Sequence, residues 1–559
     1  MVAMPSLSPE DRNGLRGYAS ASRRQLRFLA NSRKETMEFE EYFSFEAIVG
    51  DLVRWRVKGK GTVYENGRRD VEKVLPSRRA WSRAGAKARD GIDPEAVRKQ
   101  AIWRTVRREC GRQGEKRSAM RWAQNLAQLV GEVQEAVSSG KVAFEKPRMM
   151  KIPKGYKDGV REFRDVASFD RLADRVVLSR TTAYVRDVLE GVLGDCCYSF
   201  RRDSEWSHQL AIEKLQEWRT KHAKGEMFVA ECDIKKFFDN ISHDVVRRCW
   251  EKAGFAAAAG KVLEAYLDVY SSPDAERCGL PQGGSFSTVL ANLVLHEADE
   301  TVEVSGGGRL FYARFCDDVV IAHPEAAVCR AVLKAYMAAL ARLKLPVHPV
   351  VSFVYRPADG QATDYYAIKS KGPFRWGAPA VGEADCAPWV SFLGSQVRYD
   401  GETRIRKDSI DKHIRALGHE TAKAVAALQK CEAAGFFKKP LPPAAAKMLR
   451  AWFASFRNRL IAKGVGYVTA KVKDCHFCWA GAFTQVTDCA DTRMQMRRLD
   501  RVREGMLSKV WRMLPRSCGK KRRRYKGKPF SYCGFLENAV RPTNMKPRRR
   551  RVLLPYSEL

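Results

Sequence analysis

The spacing of apolar and polar residues divides the chain into a helical beginning, a mixed central part and a helical end. Residues 1 to about 140 are largely helical in pattern, and apolar residues at helical intervals predict one helix from Ala119 to Val137. From about Met150 to Ala322, short β-prone runs alternate with amphipathic helical segments, which is typical of an α+β domain. A helix follows from Pro324 to Leu343, and helical spacing resumes after Asp408, which is a plausible N-cap.

Two hairpins are predicted within the mixed part and just after it. In the first, two apolar runs flank Phe315-Cys316-Asp317-Asp318, so the acids are expected at a hairpin tip. In the second, Phe392–Tyr399 is joined to Thr403–Arg406 by an Asp400-Gly401 turn signal.

Two apolar stripes in the helical end are expected to form core. The first consists of Met448, Trp452, Phe456 and Leu460, and the second of Leu499, Val502, Met506, Val510 and Leu514. The polar face beside the second stripe is rich in arginine, namely Arg493, Arg497, Arg498, Arg501 and Arg503. Such a face fits a helical module that lies on phosphates.

The net charge of the chain says more about its function than its length does. Lys and Arg total 101 against 65 acidic residues in a chain of 559, which gives a net charge of +36. This excess predicts a polyanionic partner and salt-sensitive nucleic-acid binding. No long uncharged apolar span predicts membrane insertion, and Met1 to Arg24 contain no apolar run of signal-peptide length, so we expect a cytoplasmic protein.

The 15 cysteines are scattered, and in a reducing compartment most are expected to be small buried hydrophobic residues. Cys475 and Cys478, with Cys489 beyond them, have the spacing of half a zinc site. A clear second pair is not evident, so zinc binding and simple helix packing both stay open.

Three acidic residues are the candidate metal-binding and catalytic residues. Asp317 and Asp318 are adjacent like charges, which favours a bound divalent cation, although a solvated turn is the alternative. Asp233 ends an apolar strand, and Ser242 is expected to cap the helix that follows. Together the three carboxylates could coordinate two metal ions.

Between these acids lies a glycine-containing segment, Gly279 to Leu293. Its glycines allow the backbone to approach a ligand closely, and Gln282 offers a two-sided amide. Ser285 or Ser287 is expected to cap the apolar helix that follows.

In order and spacing, these three blocks resemble motifs A, B and C of reverse transcriptases, in the bacterial lineage of group II intron, retron and diversity-generating enzymes. Further blocks resemble two fingers motifs and the primer-grip hairpin of the family. They are Ile152-Pro153-Lys154 with Arg161 to Arg171, Tyr198 to Arg202, and Phe392-Leu393-Gly394. The resemblance covers roughly residues 145 to 415.

The resemblance implies an α+β right-hand polymerase of fingers, palm and thumb, with a basic helical N-terminal extension and a helical C-terminal region. The expected division is an extension over 1–140, fingers and palm over 141–388, primer grip and the start of the thumb over 389–430, and a helical thumb and C-terminal region over 431–559.

The resemblance also implies a role for each matching residue. Asp233, Asp317 and Asp318 would be catalytic and would bind two Mg²⁺ ions, or Mn²⁺, with the Ile234 carbonyl as a further ligand. The dNTP would contact Lys154 and Arg161 at its phosphates, Phe238 at its sugar, and Gln282 and Gly283 at the templating pocket. Phe238 would exclude a ribose 2′-hydroxyl by packing, although Phe237 could exchange places with it. The primer grip would comprise Phe392, Leu393 and Gly394.

Three features depart from the family pattern. Phe315-Cys316 stands where Tyr-Ala is commoner. The segment around Leu343 to Ser352 lacks the lysine expected after it, which leaves Lys344 and His348 as candidates for the proton donor. The spacing between Lys154 and Arg161 is one residue longer than expected.

The expected activity is RNA-directed DNA synthesis, with an RNA template, dNTPs and a DNA product as partners. By elimination, the chain is most similar to the defence-associated, or unknown-group, reverse transcriptases, which copy a dedicated noncoding RNA against phage. A group II intron-type reverse transcriptase and maturase, a template-independent DNA-synthesising polymerase and a silent RNA-binding scaffold stay open, as do a homo-oligomer and an accessory protein.

Overall fold

Helices precede and follow a central set of β-strands. The computed structural model describes residues 38–58, 65–81, 84, 94–111, 119–157, 160–202, 206–222, 225–271, 277–352, 368–378, 385–437, 441–466, 478–519 and 531–539. By its internal contacts the chain divides into two units. The first comprises Met1–Ala211 and Lys224–Pro388, and the second comprises Ile212–Ala223 and Trp389–Leu559.

The first unit begins with helices that share one hydrophobic core with the strands that follow. These helices are α1 (Phe45–Lys58), α2 (Glu65–Val74), α3 (Arg78–Trp81), α4 (Pro94–Cys110) and α5 (Arg121–Ser138), preceded by a 3-10 turn at Phe39–Phe43. They pack against α6 (Leu172–Glu190), where Phe39 meets Tyr184 edge to face at 4.9 Å. Buried Asp51 accepts a hydrogen bond from Arg180 of α6 at 3.2 Å. Apolar and ionic contacts thus join the helical beginning to the rest of this unit.

An antiparallel hairpin and a larger sheet supply the strands of the first unit. The hairpin is β1 (Arg148–Lys157) with β2 (Val160–Ser168). The larger sheet has the order β4-β5-β3-β7-β6, with β8 beside β7. Its strands are β3 (Phe228–Cys232), β4 (Phe311–Phe315), β5 (Asp318–His323), β6 (Val350–Val351), β7 (Ser370–Trp376) and β8 (Cys386–Ala387). Pairing is antiparallel except where β6 and β8 meet β7.

Helices cover the sheet because its central strands are apolar on both faces. In β5, the five residues after Asp318 are all buried. The remaining helices of this unit are α8 (Phe237–Asn240), α9 (His243–Ala253), α10 (Ala257–Asp268), α11 (Ser285–Gly306) and α12 (Ala326–Arg342). Most of α7 (His208–Lys221) belongs to the second unit. α12 packs on β3, β5 and β7 and also contacts α11.

The second unit combines a small antiparallel sheet with long helices. Its strands are β9 (Trp389–Phe392), β10 (Ser395–Arg398) and β11 (Thr403–Ile405). Its helices are α13 (Lys407–Ala433), α14 (Pro443–Val465), α15 (Ala490–Arg512) and α16 (Tyr532–Ala539), with 3-10 turns at Ala480–Phe483 and Arg516–Cys518. Two apolar clusters hold these elements together.

The mixture of helices and mainly antiparallel strands confirms the predicted α+β class, and both predicted hairpins are present. The helix predicted from Ala119 to Val137 is α5, and the one from Pro324 to Leu343 is α12. The four domain limits stay a prediction. Within the described part of the chain, no helix has both the length and the apolar composition needed to cross a membrane.

Several local expectations were wrong. Ser242 occupies the N-cap position of α9 as predicted, but its side chain makes no capping hydrogen bond. Gly284, rather than Ser285 or Ser287, is the N-cap residue of α11, and the Ser287 hydroxyl donates to the Pro281 carbonyl. The residue at the start of α13 is Arg406 rather than Asp408.

Two expectations for the helical end were also wrong. Met448 is 73% exposed, whereas Phe456 and Leu460 are buried as expected. Arg503 is buried beside Tyr532, with its side chain bonded to Asp500, and so leaves the exposed arginine face of α15.

Candidate active site

The β4–β5 hairpin presents two of the predicted acids at its tip. Phe315 pairs with Asp318, so Cys316 and Asp317 form the connecting turn, which we call the aspartate turn. Two-residue hairpin turns are favoured when central residues adopt positive φ, and Cys316 has a φ of 60°. The buried apolar residues of both strands hold this turn at the edge of the core.

Asp233 reaches the same place from the neighbouring strand. β3 pairs with β5 so that Cys232 faces Val319, which puts Asp233, the next residue, beside Asp318. Enclosure in the protein raises the pKa of Asp317, and the charge of Asp233 adds to this effect. Enclosure and the charges of Asp317 and Asp233 raise the pKa of Asp318 to about 7. The structure therefore brings the three predicted acids together, and their mutual repulsion favours a cation.

The donor set has the chemistry of a magnesium site, since carboxylate and carbonyl oxygens are its preferred ligands. In the strand pairing beside Asp233, the Asp233 carbonyl accepts from His348 and the Lys235 amide donates to Pro346. Neither bond uses the Ile234 carbonyl. Among the described residues, no group of three or more His, Cys, Asp or Glu side chains could hold a metal ion by itself.

A lysine that sequence reasoning missed contacts this site. Lys369 Nζ lies 2.6 Å from Asp233 Oδ2, and the next residue, Ser370, accepts a hydrogen bond from the Asp233 amide at 3.0 Å. One step further, buried Lys371 of β7 forms an ion pair with Glu231 of β3. Lys369, just before β7, and Lys371, within β7, thus face Asp233, just after β3, and Glu231, within β3.

The signal for Lys369 was this spacing of lysines and acids two residues apart, but it becomes visible only once β7 is known to pair with β3. The two candidates from sequence lie elsewhere. Lys344 is exposed just after α12, and His348 contributes its backbone amide to Asp233.

Phe237 and Phe238 are distinguished by burial. Phe237 is 3% exposed within the core, whereas Phe238 is half-buried. The Phe238 carbonyl accepts a hydrogen bond from the Leu280 amide at 2.8 Å. Phe238 therefore lies where Asp233 and the glycine-containing segment converge, and its ring is the more accessible of the two.

The turn at Gln282 and Gly283 is docked on β2. The Gln282 carbonyl accepts a hydrogen bond from the Ala167 amide at 2.9 Å. Gly283 has a φ of 99°, and a Cβ placed there would lie 2.3 Å from Val166 Cγ1. Both the backbone conformation and the close approach therefore require glycine at this position.

The β1–β2 hairpin contains a bulge at Lys154, one of the two predicted triphosphate contacts. Pro153 pairs with Phe163 and Gly155 with Glu162, so Lys154 is the additional residue of a bulge in β1. Arg161 pairs with Tyr156 near the hairpin tip. The side chains of Lys154 and Arg161 lie outside the described residues.

The predicted primer-grip residues form a tight turn of the second unit. Phe392 pairs with Ser395, and the two residues between them, Leu393 and Gly394, have φ values of 49° and 81°. The Gly394 carbonyl accepts from the Arg406 amide at 2.9 Å, which fixes the turn at the beginning of α13.

The cysteines considered for zinc are only partly described, since Cys475 lies outside the described residues. Cys478 is buried, and its sulfur accepts a hydrogen bond from the Gly481 amide at 3.3 Å. Cys489 Sγ lies 3.4 Å from the Thr492 hydroxyl. These contacts fit helix packing, and zinc binding stays a hypothesis.

Comparison with known proteins finds a family model that is similar to the central part of the chain. Residues 175–355 match a family model described as reverse transcriptase (RNA-dependent DNA polymerase). The matched segment contains the three acids, Phe238 and the Gln282–Gly283 turn, and it amounts to less than half of the chain. The match supports a reverse transcriptase domain in this segment.

Two curated relatives are similar to parts of this chain. A putative COX1/OXI3 intron 1 protein of Saccharomyces cerevisiae is 28% identical over 180 residues, which are 31% of this chain and 20% of the relative. Protein YkfC of Escherichia coli K12 is 30% identical over 134 residues, which are 23% of this chain and 35% of the relative. The chain thus spans about a fifth and about a third of these relatives.

Proposed function

We propose that this protein is an RNA-directed DNA polymerase. It would be a nucleotidyltransferase that extends a primer with dNTPs and copies an RNA template into DNA. The observation that carries the proposal is the convergence of Asp233, Asp317 and Asp318 at the ends of β3 and β5. This cluster lies within the segment that matches the reverse transcriptase family. In this proposal the larger sheet is the palm, the β1–β2 hairpin belongs to the fingers, and the second unit supplies the primer grip and thumb.

Each site residue has a proposed task. Asp233, Asp317 and Asp318, with the Ile234 carbonyl, would hold two Mg²⁺ or Mn²⁺ ions. When bound, the ions would activate the primer hydroxyl and offset charge on the triphosphate.

The remaining residues would bind and orient the dNTP and the primer. Lys154 and Arg161 would hold the triphosphate, Phe238 would pack against the sugar, and Gln282 with Gly283 would shape the templating pocket. Lys369, already beside Asp233, would replace Lys344 and His348 as the candidate that gives a proton to pyrophosphate.

A primer-extension assay on a defined RNA template tests the activity. We expect wild-type protein to extend the primer with dNTPs and the isosteric variant Asp317→Asn to lose activity on the order of 10³-fold or more. Asp268→Asn, an exposed acid on α10, is the matched control and should retain activity. Equal activity in the Asp317→Asn protein would remove the metal-site assignment. Extension that ignores the template sequence would support template-independent synthesis instead.

For biological role, we propose copying of a dedicated noncoding RNA in antiphage defence, as the resemblance to the unknown-group enzymes suggests. One relative is named as an intron protein, which favours an intron-type reverse transcriptase and maturase as the second candidate. Sequencing of RNA that co-purifies with the protein from its host separates them. One abundant structured noncoding RNA supports the defence role, and intron RNA supports the second candidate.

A further inference from the structure

Cys316, at the aspartate turn, has a backbone conformation that is unusual for its residue type. Its φ of 60° lies in the left-handed region, which favours glycine. A non-glycine residue stays there only when its surroundings determine the conformation. The contacts of Cys316 therefore show what fixes the geometry of the adjacent Asp317.

Both backbone polar groups of Cys316 are bonded to buried side chains. Its amide donates to the Ser199 hydroxyl at 2.9 Å, and its carbonyl accepts from Arg314 Nη1 at 3.2 Å. Ser199 and Arg314 have no measurable exposure. The turn is thus held from both sides by groups that cannot exchange their bonds for water.

A single asparagine joins these two side chains. Asn292 Oδ1 accepts from the Ser199 hydroxyl at 3.1 Å and from Arg314 Nη1 at 3.0 Å. Its amide nitrogen donates to the Ser199 carbonyl at 2.7 Å. Every polar group of the Asn292 side chain is therefore engaged in supporting the turn.

The charge of Arg314 is balanced within the same network. Its Nε and Nη2 donate to the two carboxylate oxygens of Asp299 at 2.8 and 2.6 Å, and the Tyr312 hydroxyl donates to Asp299 at 2.6 Å. Asn292 and Asp299 are two turns apart on α11 and so share one face. α11 begins just after the Gln282–Gly283 turn, which connects the proposed templating pocket to the aspartate turn.

We propose that Ser199, Asn292 and Arg314 are positioning residues that hold the aspartate turn so that Asp317 faces the metal ions. The proposal rests on the proposed polymerase function and adds residues that contact neither metal nor substrate. Because Ser199 Oγ is the acceptor for the Cys316 amide, its removal leaves that buried donor unpaired and releases the turn. The loss should appear in metal binding and in the rate of the chemical step.

Ser199→Ala in the full-length protein tests this directly. We expect Mn²⁺ affinity, measured by electron paramagnetic resonance titration, to fall about 10-fold and kcat to fall about 10- to 100-fold, with the dNTP KM changed less than about threefold. Thr181→Val is the matched control, because the buried Thr181 hydroxyl has no hydrogen-bond partner in the described residues and lies outside the network. Its metal affinity and kcat should equal those of the wild type.

A double-mutant cycle with Asn292→Ala identifies the network. If the residues act as one unit, the Mn²⁺ affinity and the kcat of the double variant should be no more than about threefold below those of the less active single variant. Additive losses, or a Ser199→Ala protein with wild-type Mn²⁺ affinity and kcat, would overturn the proposal. If Ser199→Ala does not fold, as judged by its melting temperature, the same measurements on Asn292→Ala decide.

The two proposals fail in different ways. If wild-type protein makes no DNA, the proposed function fails, and the Mn²⁺ titration alone then decides whether the network orders the aspartates. If wild-type protein makes DNA and both single variants match it, only the positioning role is lost.

Discussion

At the scale of single residues, Phe237 and Phe238 differ in burial, and this difference indicates different roles for two identical side chains. Phe237 is part of the core, whereas Phe238 is half-buried and its carbonyl accepts a hydrogen bond from the Leu280 amide. The sequence alone left them interchangeable, because neighbouring residues on a short helical turn differ only in the direction they face. Packing around α8 determines which ring remains available to a substrate.

We predict that Phe238→Ala admits ribonucleotides, because removing the ring opens space for a 2′-hydroxyl. The ratio of kcat/KM for dNTP over rNTP should fall about 100-fold, the range over which packing alone discriminates. Steady-state primer extension with each nucleotide class measures it. The control is Phe237→Leu, which should lower the melting temperature and leave sugar selectivity unchanged. Unchanged selectivity in Phe238→Ala would refute the role given to Phe238.

Lys369 shows why some site residues could not be found from sequence. It is separated from Asp233 by 136 positions and reaches it only because β7 is the neighbour of β3. Periodicity predicts which residues form a strand, but it does not reveal which strands pair. Asp317 and Asp318 could be predicted because adjacent carboxylates between apolar runs are costly without a cation, and Asp233 could be predicted because it ends an apolar strand.

At the scale of elements, hairpins were predicted well and helix faces less well. Both hairpins carry their signal within a few residues, as in the Asp400-Gly401 turn between β10 and β11. On α14 the four-residue spacing predicted the wrong buried face. Residues four apart differ by 400° around the helix axis, so each step in such a series rotates the position by a further 40°. The face that is buried carries Ala446, Phe453, Phe456 and Leu460, which leaves Met448 in solvent.

His413 of α13 links three elements of the second unit through one buried ring. It stacks on Trp479 with centroids 4.2 Å apart, and its Nε2 lies 2.6 Å from the Tyr532 hydroxyl. Burial lowers the pKa of His413 to about 4, and the nearby charges of Lys463 and Arg503 add to the effect. The folded protein therefore holds this imidazole neutral at neutral pH.

We predict that this pKa makes the second unit lose stability in mild acid. Between pH 6.5 and 4 the unfolded chain binds a proton that folded His413 does not, so stability is full above pH 6.5 and falls as pH drops toward 4. The loss attributable to His413 between pH 7.5 and 5 should be about 2 kcal/mol. Urea unfolding of the full-length protein, followed by tryptophan fluorescence, measures it at both pH values.

The control for this prediction is His413→Gln, which keeps polar groups able to bond Tyr532 but does not titrate. Its stability relative to wild type should rise by about 2 kcal/mol on going from pH 7.5 to 5, because other groups contribute equally to both proteins. A constant difference between the two proteins would show that His413 is protonated equally in both states.

At the scale of the whole molecule, the main property is an excess of positive charge over the chain that forms the two units. Positive charge exceeds negative charge by 36 across the chain, far beyond what solubility requires. The net charge calculated from the sequence shows this bias without any structure and predicts a polyanionic partner. The sequence could not distinguish cations on the surface from those bound inside, such as Arg314 and Arg503.

The exposed arginines of α15 provide the test of this bias. We predict that affinity for single-stranded RNA falls steeply with salt, by about 10³-fold or more between 50 and 200 mM, because bound cations release condensed counterions. Replacing exposed Arg497 and Arg501 with Gln should reduce the slope of log K against log salt by about 1.4, which corresponds to two phosphate contacts on single strands. Fluorescence anisotropy across a salt series measures both quantities.

Arg309 and Arg342 of the first unit supply the matched control for that experiment. Both are exposed, and each already lies beside an acid, at 2.5 Å from Glu325 and 3.8 Å from Glu297 respectively. Their replacement with Gln removes the same charge from the molecule and should leave the slope unchanged. If both double variants lower the slope equally, net charge rather than the α15 face governs binding. If neither does, the phosphates contact other cations.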